Sequence, residues 1–491
     1  MPVRSKILII GAGEAGRMLL AEYVRRGHGS SIAGFADDDP EKTGRLVDDK
    51  PVLGNIADLE KIITAASIDE AVIAIPSADP ALISGIVSRI MSIRPRIGLH
   101  LLPEAERFFD TTPLIPALKG FSFSDLFERE EYTLDLDLMK KSFGGSTVMV
   151  TGAGGSIGSE LCRQLLRFEV KNIIAVGRGE NSIYELASAL EDYAEQMTAP
   201  PMLHYRIADV KDRGMLSRIF RELKPDTVFH AAAHKHVPLM EFNEAEALRN
   251  NAGGTWNLLD CCREHGTGRF VMVSTDKAVR PANVMGATKR IAEQMVQGFY
   301  SDKGLNTTVV RFGNVIGSRG SVIPLFQKQI EAGGPVTVTH PEIERFFMSI
   351  PEAALLVLNA ASYAKGGEVF VLDMGRQYRV IDVARRLIGL YGLVPDRDIK
   401  LKITGLRPGE KLSEELFYET GSLRRTSNNR IMVCGIEGER LPFNELEKFV
   451  EQTLPVLHEM TSDEVRKTIM KLVPGFTSSN TGAVSCERIV K

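Results

Sequence analysis

Cysteine is scarce and scattered: five occur in 491 residues, Cys162, Cys261, Cys262, Cys434 and Cys486. An odd set without metal-ligand spacing offers no metal site and reads as a reduced, cytoplasmic chain. A basic excess is also missing. Sixty Lys and Arg face 63 Asp and Glu, a net charge of −3, so composition argues against a nucleic-acid-binding protein. No apolar run reaches the ~18–20 residues of a membrane span. The segment Met1-Pro-Val-Arg-Ser-Lys6 runs straight into a strand pattern, without the apolar centre of a signal peptide. What is present is an ordinary globular composition, 44% hydrophobic, at a length for two or three domains.

Two glycine loops divide the chain. Lys6 to Ile10 is a buried strand pattern, followed by Gly11-Ala-Gly-Glu-Ala-Gly16 and a helix through about Arg26. That is a dinucleotide fingerprint, with glycines for the tight turn and the helix N-terminus for a pyrophosphate. Further strands are expected at Ser31–Ala36, ending in Asp37-Asp38-Asp39, at Ala71–Pro76 and at Arg96–Leu102. No acid–base cluster appears in this half. The second loop, Thr151-Gly152-Ala-Gly-Gly155-Ser156-Ile157-Gly158, follows the strand Ser146–Val150 and precedes a helix over Ser159–Phe168. The next strand, Asn172–Val176, ends in Gly177-Arg178-Gly179-Glu180. An NAD site usually carries an acid there; Arg178 instead suits a 2′-phosphate, which favours NADP, with Glu180 keeping NAD open.

The densest chemistry lies between Val273 and Arg290. The apolar run Phe270–Val273 reads as a strand, and Ser274, Thr275, Asp276 and Lys277 stand where it ends. In an open parallel sheet, ligands sit at the carboxyl ends of strands. A helical pattern then runs from Met285 through Gln294, with Met285 and Lys289 one turn apart on a shared face. An isolated Asp–Lys pair is ordinarily a solvated loop pair; the flanking motifs reverse that reading here.

These motifs resemble the extended short-chain dehydrogenase/reductase family, and within it the nucleotide-sugar 4,6-dehydratases of bacterial polysaccharide synthesis. Thr275, Asp276, Lys277 and Lys289 match the family pattern, whereas Met285 holds the place of its tyrosine. A long subgroup, mostly membrane-bound and acting on UDP-N-acetylglucosamine, also carries Met there. The resemblance implies removal of hydride from sugar C4, loss of the C5 proton with departure of the C6 hydroxyl as water, and return of hydride to C6. It assigns Asp276 as the acid at O6 and Lys277 as the base at C5, which requires the lysine to be neutral, through burial or a cation such as Lys289. Thr275 would bond the C4 oxygen, and Lys289 the nicotinamide ribose. Met285 takes no proton; a water, Thr275 or Asp276 would take the one on the C4 hydroxyl.

The same resemblance carries over other positions. Gly152, Gly155 and Gly158, with Ser156 and Ile157 between them, are the cofactor phosphate loop. Asp209 contacts adenine, and Ala231 lies in the small-residue strand exit that passes the cofactor. His234, Lys235 and His236 lie beside the sugar nucleotide, and no carboxylate or cysteine cluster makes the two histidines a metal site. Asn250 and Asn251 are structural or cofactor asparagines. Asn314 faces the sugar diphosphate, Arg319 pairs a phosphate, and Arg345, Arg407 and Glu410 hold diphosphate and ribose. The expected fold is α/β: two Rossmann-type parallel sheets in tandem, the second an extended short-chain dehydrogenase fold with a small C-terminal substrate lobe. The expected domains are 1–120, a connector 121–141, the catalytic domain 142–474 and a disordered tail 475–491. A homo-oligomer built on the helices flanking the catalytic sheet is expected. A 4- or 5-epimerase, or a non-catalytic nucleotide-sugar sensor, are the rival readings.

Overall fold

The computed structural model describes residues 6–25, 27–75, 78, 82, 85–86, 89–90, 93, 97–101, 119–120, 136–390, 393–418, 423–435 and 440–476. Most of the expected connector, the end of the strand at Pro76 and all but the first two residues of the expected tail lie outside them. The chain divides into two compact units: 1–130 with 325–338 and 381–403, and the remainder. The segments 325–338 and 381–403, placed with the catalytic domain from sequence, thus group with the first unit.

The first unit holds a seven-stranded sheet in the order β3-β4-β2-β1-β5-β6-β7. Its strands are β1 (Ile7–Ile10), β2 (Ile32–Ala36), β3 (Leu46–Val47), β4 (Lys50–Gly54), β5 (Glu70–Ile73), β6 (Gly98–Leu101) and β7 (Lys119–Gly120). The central strands are parallel and apolar on both faces, as sheets covered on two sides are. Helix α1 (Glu14–Arg25) follows the glycine loop. The Asp37 carboxylate at the end of β2 accepts from the Ala12 amide at 2.6 Å and faces Lys42 at 3.3 Å, so it braces the loop from within.

In the second unit, β8 (Thr147–Thr151), β9 (Asn172–Gly177), β10 (Met202–Ile207), β11 (Thr227–His230), β12 (Arg269–Thr275) and β13 (Thr307–Phe312) form a parallel sheet. Short pairs follow: β14 (Asn314–Val315) with β17 (Phe347–Met348), and β16 (Glu344–Arg345) with β19 (Tyr378–Arg379). The pair β15 (Val336–Val338) with β20 (Leu401–Ile403) belongs to the first unit. Strand β18 (Val369–Leu372) extends the large sheet in parallel, and β21 (Leu423–Arg425) and β22 (Ile431–Cys434) close it antiparallel. The full order is β10-β9-β8-β11-β12-β13-β18-β22-β21. The chain turns outward in opposite directions from β8 and from β11, and that reversal opens a crevice at their carboxyl ends.

Helix α2 (Ser156–Leu165) follows Gly155 and begins three residues before the expected start. Helices α3 (Glu180–Ala194) and α4 (Gly254–His265) follow. Helix α5 (Val284–Lys303) continues nine residues past the expected Gln294 and stops where Gly304 takes a left-handed turn. Asn283 caps it, accepting from the Gly286 amide at 2.7 Å, and Glu241 accepts from the Val284 amide at 2.6 Å. Helix α6 (Ser462–Leu472) sends Arg466 to the same Glu241 at 3.1 Å and to Glu244. Gln294 of α5 bonds the Leu472 carbonyl and the Leu441 amide. Fifteen of the twenty residues of α5 are buried. No helix among the described residues is long and apolar enough to cross a membrane.

Candidate active site

A groove of about 300 Å³ opens at the β8/β11 reversal, lined by Gly152, Gly154, Gly155, Arg178, Asp209, Ala231, His234 and Asn250 among others. Gly152 has φ +67°, and a Cβ there would lie 2.6 Å from the Ala232 amide nitrogen; a Cβ on Gly158 would strike the Gly152 carbonyl. Only glycine lets the loop press against the β11 exit and the start of α2. The result is a bare backbone cradle at a helix N-terminus, which fits a dinucleotide pyrophosphate. Ser156 and Ile157 form the first turn of that helix. Asp209 shapes its own turn by accepting from the Lys211 amide at 2.9 Å, and Arg178 stands exposed at the rim.

The floor of the groove is held by Asn251. It accepts from the His234 amide at 2.8 Å and donates to Thr288 of α5 at 3.0 Å, tying the β11 exit to the catalytic helix. This stretch, Leu248–Gly253, is a π-helical turn, a feature common at functional sites. His234, expected beside the sugar, lines this groove and contacts Glu246 at 3.1 Å. Arg319, expected on a substrate phosphate, lies over the same loop. Its amide donates to Ser156 Oγ at 3.2 Å, and its guanidinium pairs with Glu185 at 2.8 Å. Lys235 reaches Ser318 at 3.3 Å, and Gly320 leaves room for the His236 ring.

At the end of β12 the residues expected as acid and base meet. Lys277 Nζ donates to Asp276 Oδ1 at 3.0 Å and to Asn314 Oδ1 at 3.2 Å. Thr275 Oγ1 donates to the same Asp276 oxygen at 2.8 Å. Asp276 is fully buried, and its Oδ2 has no hydrogen-bond partner among the described residues. Gly313 keeps space beside that oxygen, since a Cβ there would come within 3.3 Å of it. Asn314, expected at the diphosphate, instead helps hold the lysine.

The charge state of Lys277 corrects the sequence expectation. Burial works to lower its pKa, but Asp276 and Glu414 together outweigh burial and raise it. The nearby cation that opposes them is Arg345, not Lys289. Lys289 does behave as a desolvated lysine: burial brings it down to about 8, and Nζ donates to the Val273 carbonyl at 2.8 Å. Met285, on the preceding turn, is 3% exposed and packs into the core.

Glu414 was not anticipated. It is 3% exposed, with Oε1 3.9 Å from Lys277 Nζ. In sequence it sits in a charged run, Glu410-Lys-Leu-Ser-Glu-Glu415, which ordinarily marks a solvated face. Arg345 pulls that run inward. It donates to the Lys411 carbonyl at 2.8 Å and the Leu412 carbonyl at 3.1 Å, and faces Glu410 at 3.7 Å. Arg345 is thus committed to the protein, and Glu410 accepts from the Arg407 amide at 3.1 Å. Of this trio expected at the nucleotide, only the half-buried Arg407 side chain makes no hydrogen bond or ion pair among the described residues.

A family model described as "Polysaccharide biosynthesis protein" matches residues 148–435, and one described as "CoA binding domain" matches residues 4–81. The capsular polysaccharide biosynthesis protein CapD of Staphylococcus aureus is 45% identical over 414 residues, 84% of this chain and 68% of its own. A Campylobacter jejuni protein named UDP-N-acetylglucosamine 4,6-dehydratase (inverting) is 35% identical over 285 residues, 57% of this chain and 80% of its own. The X-ray structure of Pen from Bacillus thuringiensis superimposes with a TM-score of 0.54 at 29% identity, covering 67% of this chain and 99% of that one. The chain belongs to the polysaccharide biosynthesis protein family, within the extended short-chain dehydrogenase/reductases that its motifs resemble.

Proposed function

We propose that this chain is a nicotinamide-dependent nucleotide-sugar 4,6-dehydratase that converts UDP-N-acetylglucosamine to a UDP-4-keto-6-deoxy sugar for polysaccharide synthesis. The observation that carries the reading is the buried Asp276–Lys277 contact at 3.0 Å at the end of β12, two strands along the sheet from β8, which carries the glycine cradle. A 4-epimerase needs no acid at C6 and has no use for that pair. A bound nicotinamide dinucleotide supplies hydride removal from C4 and its return to C6.

The chain's own residues manage the protons. The Thr275 hydroxyl already donates to Asp276, so a proton arriving from the C4 hydroxyl moves Thr275's own proton on to the carboxylate. That gives Met285 no proton to carry. With C4 a ketone, Lys277 as a free amine takes the C5 proton, and the C5–H electrons become the C5=C6 bond. The C6–O bond breaks as Asp276 gives its proton to the leaving hydroxyl, and water departs. Lys277, now ammonium, can return a proton to C5, leaving Asp276 a carboxylate and Lys277 the free amine with which the C5 step began. An acid or base of this kind contributes about 10²–10⁴ in rate. Arg407 is the residue we assign to the diphosphate.

The cofactor is proposed to be NADP. Arg178 is exposed at the groove rim and makes no ion pair among the described residues, which leaves it free for a 2′-phosphate. Replacing Arg178 with Ala should weaken NADP binding by at least about tenfold, the scale of one charge-assisted hydrogen bond, and leave NAD nearly unchanged. Equal losses for both cofactors, measured by titration, would refute the assignment. The described cysteines are free and buried, which suits a cytoplasmic enzyme.

The test of the function is mass spectrometry of UDP-N-acetylglucosamine incubated with the chain and NADP or NAD. Loss of one water with a new ketone supports dehydration. An isomer of unchanged mass would move the reading to epimerase, and binding without turnover of any nucleotide sugar would move it to a sensor.

A further inference from the structure

A lysine flanked by two buried carboxylates is held as an ammonium, yet C5 deprotonation needs its free amine. We propose that Glu414 accepts the ammonium proton of Lys277 and so delivers the neutral amine that removes the C5 proton. The inference rests on the dehydratase reading above.

The geometry assigns the role to Glu414 rather than Asp276. Asp276 already receives the Thr275 hydroxyl and must be free to take the C4 proton and pass it to O6. A proton taken from Lys277 would fill that place too early. Glu414 approaches Lys277 from a separate segment at 3.9 Å, and its Oε2 has no hydrogen-bond partner among the described residues. The transfer balances within the site: an N–H bond of Lys277 breaks, an O–H bond of Glu414 forms, and both groups become neutral. Burial lowers the cost of converting the ion pair to a neutral pair, because it removes water that would favour the charged form. Arg345, 4.0 Å from Glu414, keeps Glu410 as a counter-ion at 3.7 Å after the exchange.

The electrostatics agree with a carboxylate ready to be protonated. Burial raises the Glu414 pKa and outweighs the pull of Lys277; Asp276 raises it further, while Arg345 and Lys411 oppose. Among the described residues, the charged groups that act on it are Lys277 and Asp276 from the turn after β12, Arg345 from β16, and Lys411 from its own segment. Above its raised pKa Glu414 is ionised and can accept the proton; below it the acid is already formed and Lys277 stays an ammonium. The ascending limb of kcat against pH therefore belongs to Glu414.

Glu414→Gln cannot accept a proton, so Lys277 must then lose its own to solvent, at higher pH. The experiment is kcat, KM and solvent-deuterium incorporation at C5 against pH for the full chain with NADP and UDP-N-acetylglucosamine. E414Q should lose at least about tenfold in kcat at neutral pH, recover most of it at alkaline pH, and keep KM within about twofold. E414D, which keeps a titrating group but moves it away from Lys277, should shift the limb by a smaller step. A folded E414Q with the wild-type limb, or depressed equally at all pH, overturns the role. So does a raised KM with unchanged kcat, and, should E414Q fail to fold, an E414D profile superimposable on wild type. Wild-type enzyme that dehydrates no nucleotide sugar takes down the dehydratase reading and this inference together. Dehydration with an unmoved limb takes down only the inference.

Discussion

Lys277→Met is expected to abolish exchange of the sugar C5 proton with solvent and to lower dehydration by about 10²–10⁴. Oxidation at C4 should persist, so the variant accumulates a 4-keto nucleotide sugar with its C6 hydroxyl intact. The separation follows from the proposed route, in which the C4 proton leaves through Thr275 to Asp276 Oδ1, its partner at 2.8 Å, and does not pass Lys277. Thr275→Val cuts that path and should lose C4 oxidation and C5 exchange together. Both outcomes are read by mass spectrometry and proton NMR in deuterated water. Methionine leaves Asp276 buried without its cation, so each variant's thermal unfolding is measured alongside. C5 exchange at the wild-type rate in a folded Lys277→Met enzyme would remove the lysine as base.

Much of this site was legible because its parts are local. Thr275, Asp276 and Lys277 are consecutive, and a strand pattern before them with a helix pattern after fixes where they stand. The two glycine loops were legible for the same reason, each lying between a strand and a helix. What the sequence misread is long-range. Lys277 looked like a lysine that burial or a cation such as Lys289 would neutralise, because Glu414 stands 137 positions away and, of the acids in its segment, only Glu410 was read as a site residue. Arg345 looked like a phosphate ligand, and its fork donates to three backbone carbonyls, those of Glu344, Lys411 and Leu412. His234 was expected beside the sugar nucleotide and Arg319 on a phosphate; His234 lines the groove at the second glycine loop, and the Arg319 amide reaches Ser156 of that loop. The end of α5 was misjudged for another reason. A helix buried on all sides loses the polar face that periodicity detects, and the residues that bury it, Leu441 and those of α6, come from the C-terminus.

The largest stability effect is expected beneath Ser274, at Glu293. Its carboxylate accepts from Arg311 through two contacts of 2.7 Å, from Ser274 Oγ at 2.7 Å and from Arg290 at 3.1 Å. Glu293 and Arg311 are both fully buried. The group joins α5, β12 and β13, and so holds the residue before Thr275 in register with the helix that carries Lys289. Glu293→Gln keeps the shape but leaves the Arg311 guanidinium buried without a full counter-charge, a loss of about 3–5 kcal/mol. Burial alone would push the Glu293 pKa up, but Arg311 and Arg290 outweigh it and bring it down to about 2. Against an unfolded value of about 4.3, the depressed folded pKa sets the sign. This stabilisation is fully present above about pH 4.3 and is lost as pH falls toward the folded value. Urea unfolding of wild type and E293Q at stepped pH should therefore show a gap that is wide at neutral pH and narrows in acid. A gap below about 0.5 kcal/mol at neutral pH, the size of an ordinary surface change, would mean that the buried pair does not hold the catalytic strand to its helix.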